Sequence, residues 1–141
     1  MAFNITNRGE TVLIHEDTTT YSSTSSTWSL VKTYTHSGRD AIVMIWAEGV
    51  NTNIGQNSES YLAMDVGDGD IQISFTYRHG SNVARRFSYT GYAYDASYAQ
   101  ASGSPFFYIR DGESIKFYLG RNGGSGTAEL TNIRILGTYV G

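Results

Sequence analysis

The sequence contains no cysteine among its 141 residues, which excludes a disulfide framework, a thiolate metal site and a cysteine nucleophile. Charged residues are also scarce: Asp, Glu, Lys and Arg make up 16% of the chain, against about 25% in an average soluble domain. The surface must be largely polar and uncharged. Because such a surface packs against a neighbouring protein without the desolvation cost of buried charges, we expect a protein that assembles.

Long apolar runs are missing as well. No run approaches the ~18 residues of a membrane span, and the residues after Met1 do not form an export signal. The net charge is −3, and the Lys and Arg residues are scattered except for Arg85-Arg86, so the basic patch of a nucleic-acid-binding protein is missing. We expect neither a membrane nor a nucleic acid as a partner.

Apolar residues do not recur at helical spacing. Instead, β-branched and aromatic residues form short runs separated by Gly, Asn, Asp and Ser, which predicts an all-β fold. The length fits a single domain over residues 1–141, and residues 18–27 and 122–126 are expected to be loops. The predicted strands are 10–15, 27–34, 41–47, 61–66, 71–77, 83–94, 106–110, 114–119 and 127–139.

Two turn signals predict hairpins. A two-residue turn at Asp68-Gly69 places apolar residues in facing pairs on one side of the hairpin. These pairs are Val66 with Ile71, Met64 with Ile73, and Leu62 with Phe75. A turn at Asp111-Gly112 in the same way sets Tyr108 opposite Ile115 and Phe106 opposite Phe117. Phe107 and Ile109 would then point outwards and need a second cover.

Two further strands depart from simple alternation. The run Ala41 to Ala47 is apolar at nearly every position, which is typical of a strand covered on both faces, and a neighbouring subunit could supply the second cover. Near the C-terminus, the apolar residues change parity at Thr131-Asn132. A β-bulge at that point would keep all of them inward.

Chemistry-bearing motifs are not evident. Asp65, Asp68 and Asp70 lack the spacing of a calcium loop, and a hairpin turn accounts for them. The histidines are not at metal-ligand spacing and are expected on the surface or in loops, and no nucleophile elbow is present. We expect no catalytic residue, metal or cofactor. A hydrolase, in which folding pairs two of the 13 Asp and Glu residues, is one functional hypothesis beside the two described below.

The order of these features carries a resemblance. Thr33-Tyr34, the apolar strand Ile42 to Ala47, the segment Gly112 to Phe117 and the terminal Ile133 to Gly137 follow one another as in compact trimeric jelly rolls. The sequence thus resembles jelly rolls of the tumour necrosis factor and complement-head type, and equally the small jelly rolls of phage virions. The resemblance implies a jelly-roll β-sandwich of about 8–10 antiparallel strands and a homotrimer with one strand face around the threefold axis.

The first functional hypothesis is a bacteriophage capsid decoration (cement) protein on the capsid surface of the virion. Its homotrimer would bind neighbouring subunits of the major capsid protein, with residues 1–14 as a partner-contacting N-terminal arm. The side chains expected to contact partners are Phe3, Ile5, Val12, Ile14, Trp46, Phe107 and Ile109.

The alternative is the receptor-binding tip of a phage tail fibre or a small lectin. Exposed aromatic rings stack on sugar faces, so a glycan would be the ligand in this case only. The rings expected to stack on it are Trp28, Tyr92, Tyr94 and Tyr98.

Overall fold

The computed structural model describes residues 10–52, 59–65, 73–79, 85–88, 96–102, 106–122 and 127–140. Over these ranges the chain is all-β, as predicted. The strands are β1 (Val12–Asp17), β2 (Tyr21–Ser23), β3 (Ser29–Thr35), β4 (Ala41–Thr52), β5 (Glu59–Asp65), β6 (Ile73–His79), β7 (Arg85–Ser88), β8 (Ala96–Ser102), β9 (Phe106–Ile109), β10 (Ser114–Asn122) and β11 (Thr127–Tyr139).

The strands form two antiparallel sheets. In the first sheet the order is β1-β11-β4-β7, with β9 on the other half of the same edge of β4 and a short β2 beside β11. In the second sheet the order is β3-β10-β5-β6-β8. Strands distant in sequence, such as β1 and β11, are neighbours in space, and most consecutive strands lie in different sheets. This arrangement is a β-sandwich of jelly-roll type, which confirms the predicted fold class.

The core lies between the two sheets. One side of β4 contributes four side chains to it, and the second sheet contributes mainly from β5 and β10. The core residues, each at most 2% exposed, include Ala41, Val43, Ile45, Ala47, Leu62, Met64, Ile109, Ile115, Phe117, Leu119, Leu130, Ile133 and Ile135. Along β4, β10 and β11, the period of two thus sorts the sequence into a core side and an outer side.

Two predicted details of register are confirmed. In the β5–β6 hairpin, Leu62 pairs with Phe75 and Met64 pairs with Ile73. The pair Val66 with Ile71 and the Asp68-Gly69 turn lie outside the described residues. In β11 the register shifts between Leu130 and Asn132, and apolar residues on both sides of this bulge are buried.

The predicted hairpin at Asp111-Gly112 is wrong. Strand β9 pairs with β4 in the first sheet, whereas β10 pairs with β3 and β5 in the second sheet. The turn therefore crosses from one sheet to the other. A turn dipeptide marks a reversal of the chain but does not specify which strands pair. Residues 106–109 are apolar at every position, so their pattern does not show which side of the strand faces the core.

The crossing turn is held by hydrogen bonds to the segment after β3. The amide of Gly112 donates to the carbonyl of His36 at 2.7 Å, and the amide of His36 donates to the carbonyl of Glu113 at 2.8 Å. The amide of Gly38 donates to Oδ1 of Asp111 at 2.8 Å. Two connections between the sheets are thereby tied to each other.

Gly112→Ala is expected to lower the free energy of unfolding by about 1–2 kcal/mol. The backbone of Gly112 has a φ of 84°, and a Cβ there would meet no atom within 4 Å, so the cost is backbone strain without a clash. Urea denaturation monitored by tryptophan fluorescence measures it. An unchanged unfolding midpoint would contradict the left-handed conformation of this turn.

The histidine after β3 lies in a loop, as predicted, but it is buried. His36 is 1% exposed. One ring nitrogen lies 2.9 Å from the hydroxyl of Tyr34, and the other lies 2.7 Å from the carbonyl of Arg39. Because both nitrogens have partners, these contacts offset the cost of burying the ring, which holds the loop between β3 and β4 in place.

Candidate assembly surface

The outer side of the first sheet is apolar. On β4, the residues that alternate with the core residues are Ile42, Met44 and Trp46, and Ile42 is 47% exposed. The strand is therefore apolar on both sides, and the cover of its outer side by a neighbouring subunit stays a prediction. Its inner side is buried by the second sheet, while its outer side faces away from the core.

The register extends this surface across four strands. Leu13 on β1 lies beside Leu136 on β11, Leu136 lies beside Met44, and Met44 lies beside Phe106 on β9. Facing residues on antiparallel neighbours share one face of the sheet, so these side chains form a continuous row. Leu13 is 53% exposed and Phe106 is 58% exposed, which is unusual for side chains of this size.

A second row runs parallel to the first. Thr138 on β11 lies beside Ile42, and Ile42 lies beside Tyr108 on β9. A shallow groove of about 170 Å³ lies between the rows, and residues of both rows line it together with Thr11 and Gly137. We name the apolar part of this surface the outer apolar face and define it as Leu13, Ile42, Met44, Phe106, Tyr108 and Leu136.

Charged groups flank the outer apolar face on one side. Nε of Arg134 on β11 lies 3.0 Å from Oε2 of Glu16 on β1, and its guanidinium lies 5.3 Å from the ring centre of Trp46 on β4. These residues are register partners, so they form a row next to that of Leu136. The side chains of Glu16 and Arg134 are 41% and 47% exposed, and such exposed pairs contribute more to specificity than to stability.

A similar polar group lies at the opposite side. The hydroxyl of Tyr108 donates a hydrogen bond to the carboxylate of Asp40, and this bond raises the pKa of Tyr108 above its ordinary value. The guanidinium of Arg110 lies 5.6 Å from the ring centre of Tyr108. An apolar centre with polar flanks is the usual composition of a protein–protein interface.

The residues predicted to contact partners are distributed differently. Trp46 lies on the outer side of β4, next to the outer apolar face. Ile109 is 2% exposed and belongs to the core, while Phe107 and Ile14 are half-buried against that core. The predicted outward orientation of Ile109 and Phe107 is therefore wrong, because β9 joins the first sheet. Val12 is half-buried, and Phe3 and Ile5 lie outside the described residues.

Most of the outer apolar face was not predicted. The apolar run of β4 indicates Ile42 and Met44, but the incorrect hairpin places Phe106 and Tyr108 in the core. The three consecutive apolar residues 12–14 give no parity, so the sequence does not distinguish Leu13 from its neighbours. No sequence signal places Leu136 beside Met44, since that contact depends on sheet order.

The residues predicted to stack on glycan are not brought together within the described residues. Trp28, just before β3, is 45% exposed. Tyr98 lies on β8 opposite Arg78, and only its backbone is described. Tyr92 and Tyr94 lie outside the described residues.

Among the described residues, no group of three or more His, Asp or Glu side chains is placed to bind a metal ion. In the same part of the chain, no helix is long and apolar enough to cross a membrane. Within the described ranges, the outer apolar face differs from an ordinary protein exterior in its contiguous large apolar side chains.

No protein-family model and no curated protein sequence matches the chain. Among solved structures, it is similar to a chain in the structure of infectious bursal disease virus Gx strain, with a TM-score of 0.50 and 12% identity over 94% of this chain and 32% of that chain. The chain in the infectious bursal disease virus VP2 subviral particle gives a TM-score of 0.43 and 12% identity over 92% of this chain and 32% of that one.

The CBM2 module of the evolved Dit of Lactobacillus casei BL23 phage J-1 gives a TM-score of 0.39 and 9% identity, over 95% of this chain and 99% of that one. This chain spans about a third of the length of the viral chains it matches, at 32% of each. At 12% identity, the similarity to the Gx strain chain shows a shared fold. The chain is thus an all-β sandwich of two antiparallel sheets, similar in fold to part of a chain from a virus structure.

Proposed function

We propose that this protein is a structural component of a virion, a phage capsid decoration (cement) protein that forms a homotrimer and binds neighbouring subunits of the major capsid protein. The observation that carries the proposal is the outer apolar face. A soluble monomer rarely exposes several large apolar side chains in one contiguous patch, and such patches mark surfaces that other proteins cover.

The energy available from covering this face is substantial. Leu13, Ile42, Phe106 and Tyr108 are each about half exposed, at 47–58%. Full burial of a large apolar side chain contributes about 1.5–3 kcal/mol, so burying these exposed halves contributes roughly 3–6 kcal/mol per copy. That free energy corresponds to roughly a hundred- to ten-thousand-fold in an association constant.

The choice of partner and particle rests on other features. The resemblance to trimeric jelly rolls implies three copies, and the outer apolar face supplies a sheet surface for them to share. The sparse charge of the chain, 16%, favours contact with protein neighbours over a free existence. The fold similarity to a chain from a virus structure supports a virion as the place where these contacts form.

The test combines mass measurement with binding to capsids. Multi-angle light scattering of purified protein is expected to give three times the mass of the 15.5 kDa chain. The trimer is then expected to co-sediment with capsids that lack decoration protein and to raise the temperature at which those capsids break apart. A monomer at all concentrations that ignores capsids would contradict the proposal.

The receptor-binding alternative is favoured by one observation, the 45% exposure of Trp28, which lies two residues from the 51% exposed Leu30 on the other sheet. Exposed indole rings stack on sugars. A glycan array decides between the two functions. Specific glycan binding that is lost in Trp28→Ala would favour the fibre tip or lectin over the decoration protein.

A further inference from the structure

A polar cluster joins the two sheets between β1 and β3. Nζ of Lys32 on β3 lies 2.7 Å from Oδ2 of Asp17 on β1, and the two side chains are only 16% and 10% exposed. The hydroxyl of Tyr21 on β2 donates to the same carboxylate oxygen, and the amide of Thr19 donates to Oδ1 at 2.9 Å. Because β1 and β3 belong to different sheets, this ion pair fastens β1 across the sandwich.

The carboxylate of this pair, that of Asp17, stays unprotonated in mild acid. Burial by itself would raise the pKa of Asp17, but the hydrogen bonds from Lys32, Tyr21 and Thr19 outweigh burial and hold the pKa well below its ordinary value of 3.8. A lowered pKa in the folded state contributes stability above pH 3.8 that is lost only as the pH falls through the lowered value. Asp17 therefore remains ionised at pH 5.

His15 is the acid-sensitive group beside this pair. Its ring packs on that of Tyr34, with 4.8 Å between centres, and its Nε2 is buried without a hydrogen-bond partner. Burial and the charge of Lys32 lower the pKa of His15, and Asp17 opposes them. Protonation of Nε2 would create a buried charged donor without an acceptor, close to a second cation.

Two tyrosines lie around this ring and its ion pair, and neither changes charge near neutral pH. From β3, Tyr34 faces His15, and burial followed by the influence of Tyr139 on β11 raises the pKa of Tyr34 above its ordinary value. From β2, Tyr21 bonds to Asp17, and that bond raises the pKa of Tyr21. The register partner of His15 on β11 is the apolar Ile135.

We propose that His15 and the Asp17–Lys32 pair form an acid-sensitive latch that lets β1 separate from the sandwich as the pH falls below about 6.5, the ordinary pKa of histidine. Separation exposes His15 to water, where it accepts a proton freely. Among the described strands, β1 pairs with β11 alone, so it can open without disrupting another ladder. The latch does not depend on the proposed function. Only one corollary rests on that function, namely that opening removes Leu13 from the outer apolar face.

Hydrogen exchange of the full chain at pH 7.5 and pH 5.0, corrected for the intrinsic effect of pH, tests the latch. Exchange of amides in residues 12–17 is expected to rise by up to about 30-fold, the limit for a group with an ordinary pKa of 6.5 that protonates only in the open state. Exchange of residues 41–47 in the central strand β4 serves as the internal reference. Unchanged exchange in β1 relative to β4 would overturn the latch.

Two variants separate His15 from other effects of acid. His15→Phe keeps an aromatic ring against Tyr34 but cannot titrate, so the acid effect on β1 should vanish. Lys32→Met removes the repelling cation and leaves Asp17 free to pair with a protonated His15, so acid should then loosen β1 less or hold it more firmly. An acid effect in both variants as large as that in the unmodified protein would overturn the latch.

The latch and the proposed function fail separately. Protein that does not bind capsids but shows acid-enhanced exchange in β1 would contradict the decoration role and support the latch. Capsid binding combined with unchanged exchange in β1 would support the decoration role and contradict the latch.

Discussion

Met44→Glu is expected to convert the proposed trimer into monomers that remain folded. Met44 lies at the centre of the outer apolar face, between Leu136 and Phe106 in the register. A carboxylate buried there between copies has no cation opposite it within the face, and an unpaired buried charge costs several kcal/mol. Since 2.8 kcal/mol is a factor of about 100, the association constant should fall by at least about 100-fold.

Light scattering over a dilution series measures this change, and the circular dichroism spectrum reports whether the sandwich persists. Thr33→Glu is the matched control. It adds the same charge at an exposed position of β3 on the other sheet, beside Lys116, so the proposed trimer should survive. A trimeric Met44→Glu protein, or monomers from both variants, would contradict the assignment of the outer apolar face as the contact surface.

Phe117→Ala is expected to lower the free energy of unfolding by about 3–5 kcal/mol. Phe117 is fully buried on β10, where its register partners are Lys32 on β3 and Met64 on β5. Removal of the ring loses the free energy gained by transferring it from water to the core. It also leaves a cavity that the surrounding side chains fill only in part. Urea denaturation, carried out in the monomeric Met44→Glu background, measures the loss without a contribution from assembly.

Phe106→Ala in the same background is the matched comparison. The ring of Phe106 is 58% exposed, so its truncation should cost the monomer less than about 1 kcal/mol. Equal losses at the two positions would mean that both rings lie in the core. That result would restore the β9–β10 hairpin and contradict the crossing turn.

The parts of the fold that could be predicted from sequence are those in which one parity is clearly apolar. In β5 and β6 large aliphatic or aromatic residues alternate with Ala or polar residues around the turn, so the register of Leu62 with Phe75 followed from the turn position. The bulge in β11 followed in the same way, because a change of parity in a strand with a buried face needs an extra residue. Local patterns of this kind are sufficient to specify the register or the bulge.

The parts that could not be predicted depend on long-range pairing or on weak patterns. Strand β2 is three polar and aromatic residues within a Ser/Thr-rich segment, and it extends because its backbone pairs with β11. Strand β8 is rich in Ala and Ser, which give little hydrophobic signal. The outer apolar face combines four strands from both ends of the chain, so its existence depends on sheet order.

The pairing of β1 with β11 also determines how the protein responds to force. Val12 at the start of β1 lies opposite Gly137 near the end of β11, so the points where tension would enter and leave these strands are at the same end of one ladder. Pulling them apart loads the hydrogen bonds one pair after another, as when a zipper opens, and does not shear them all together. Tension along the chain should therefore peel this edge of the sandwich at a lower force than shearing all of these hydrogen bonds together would need.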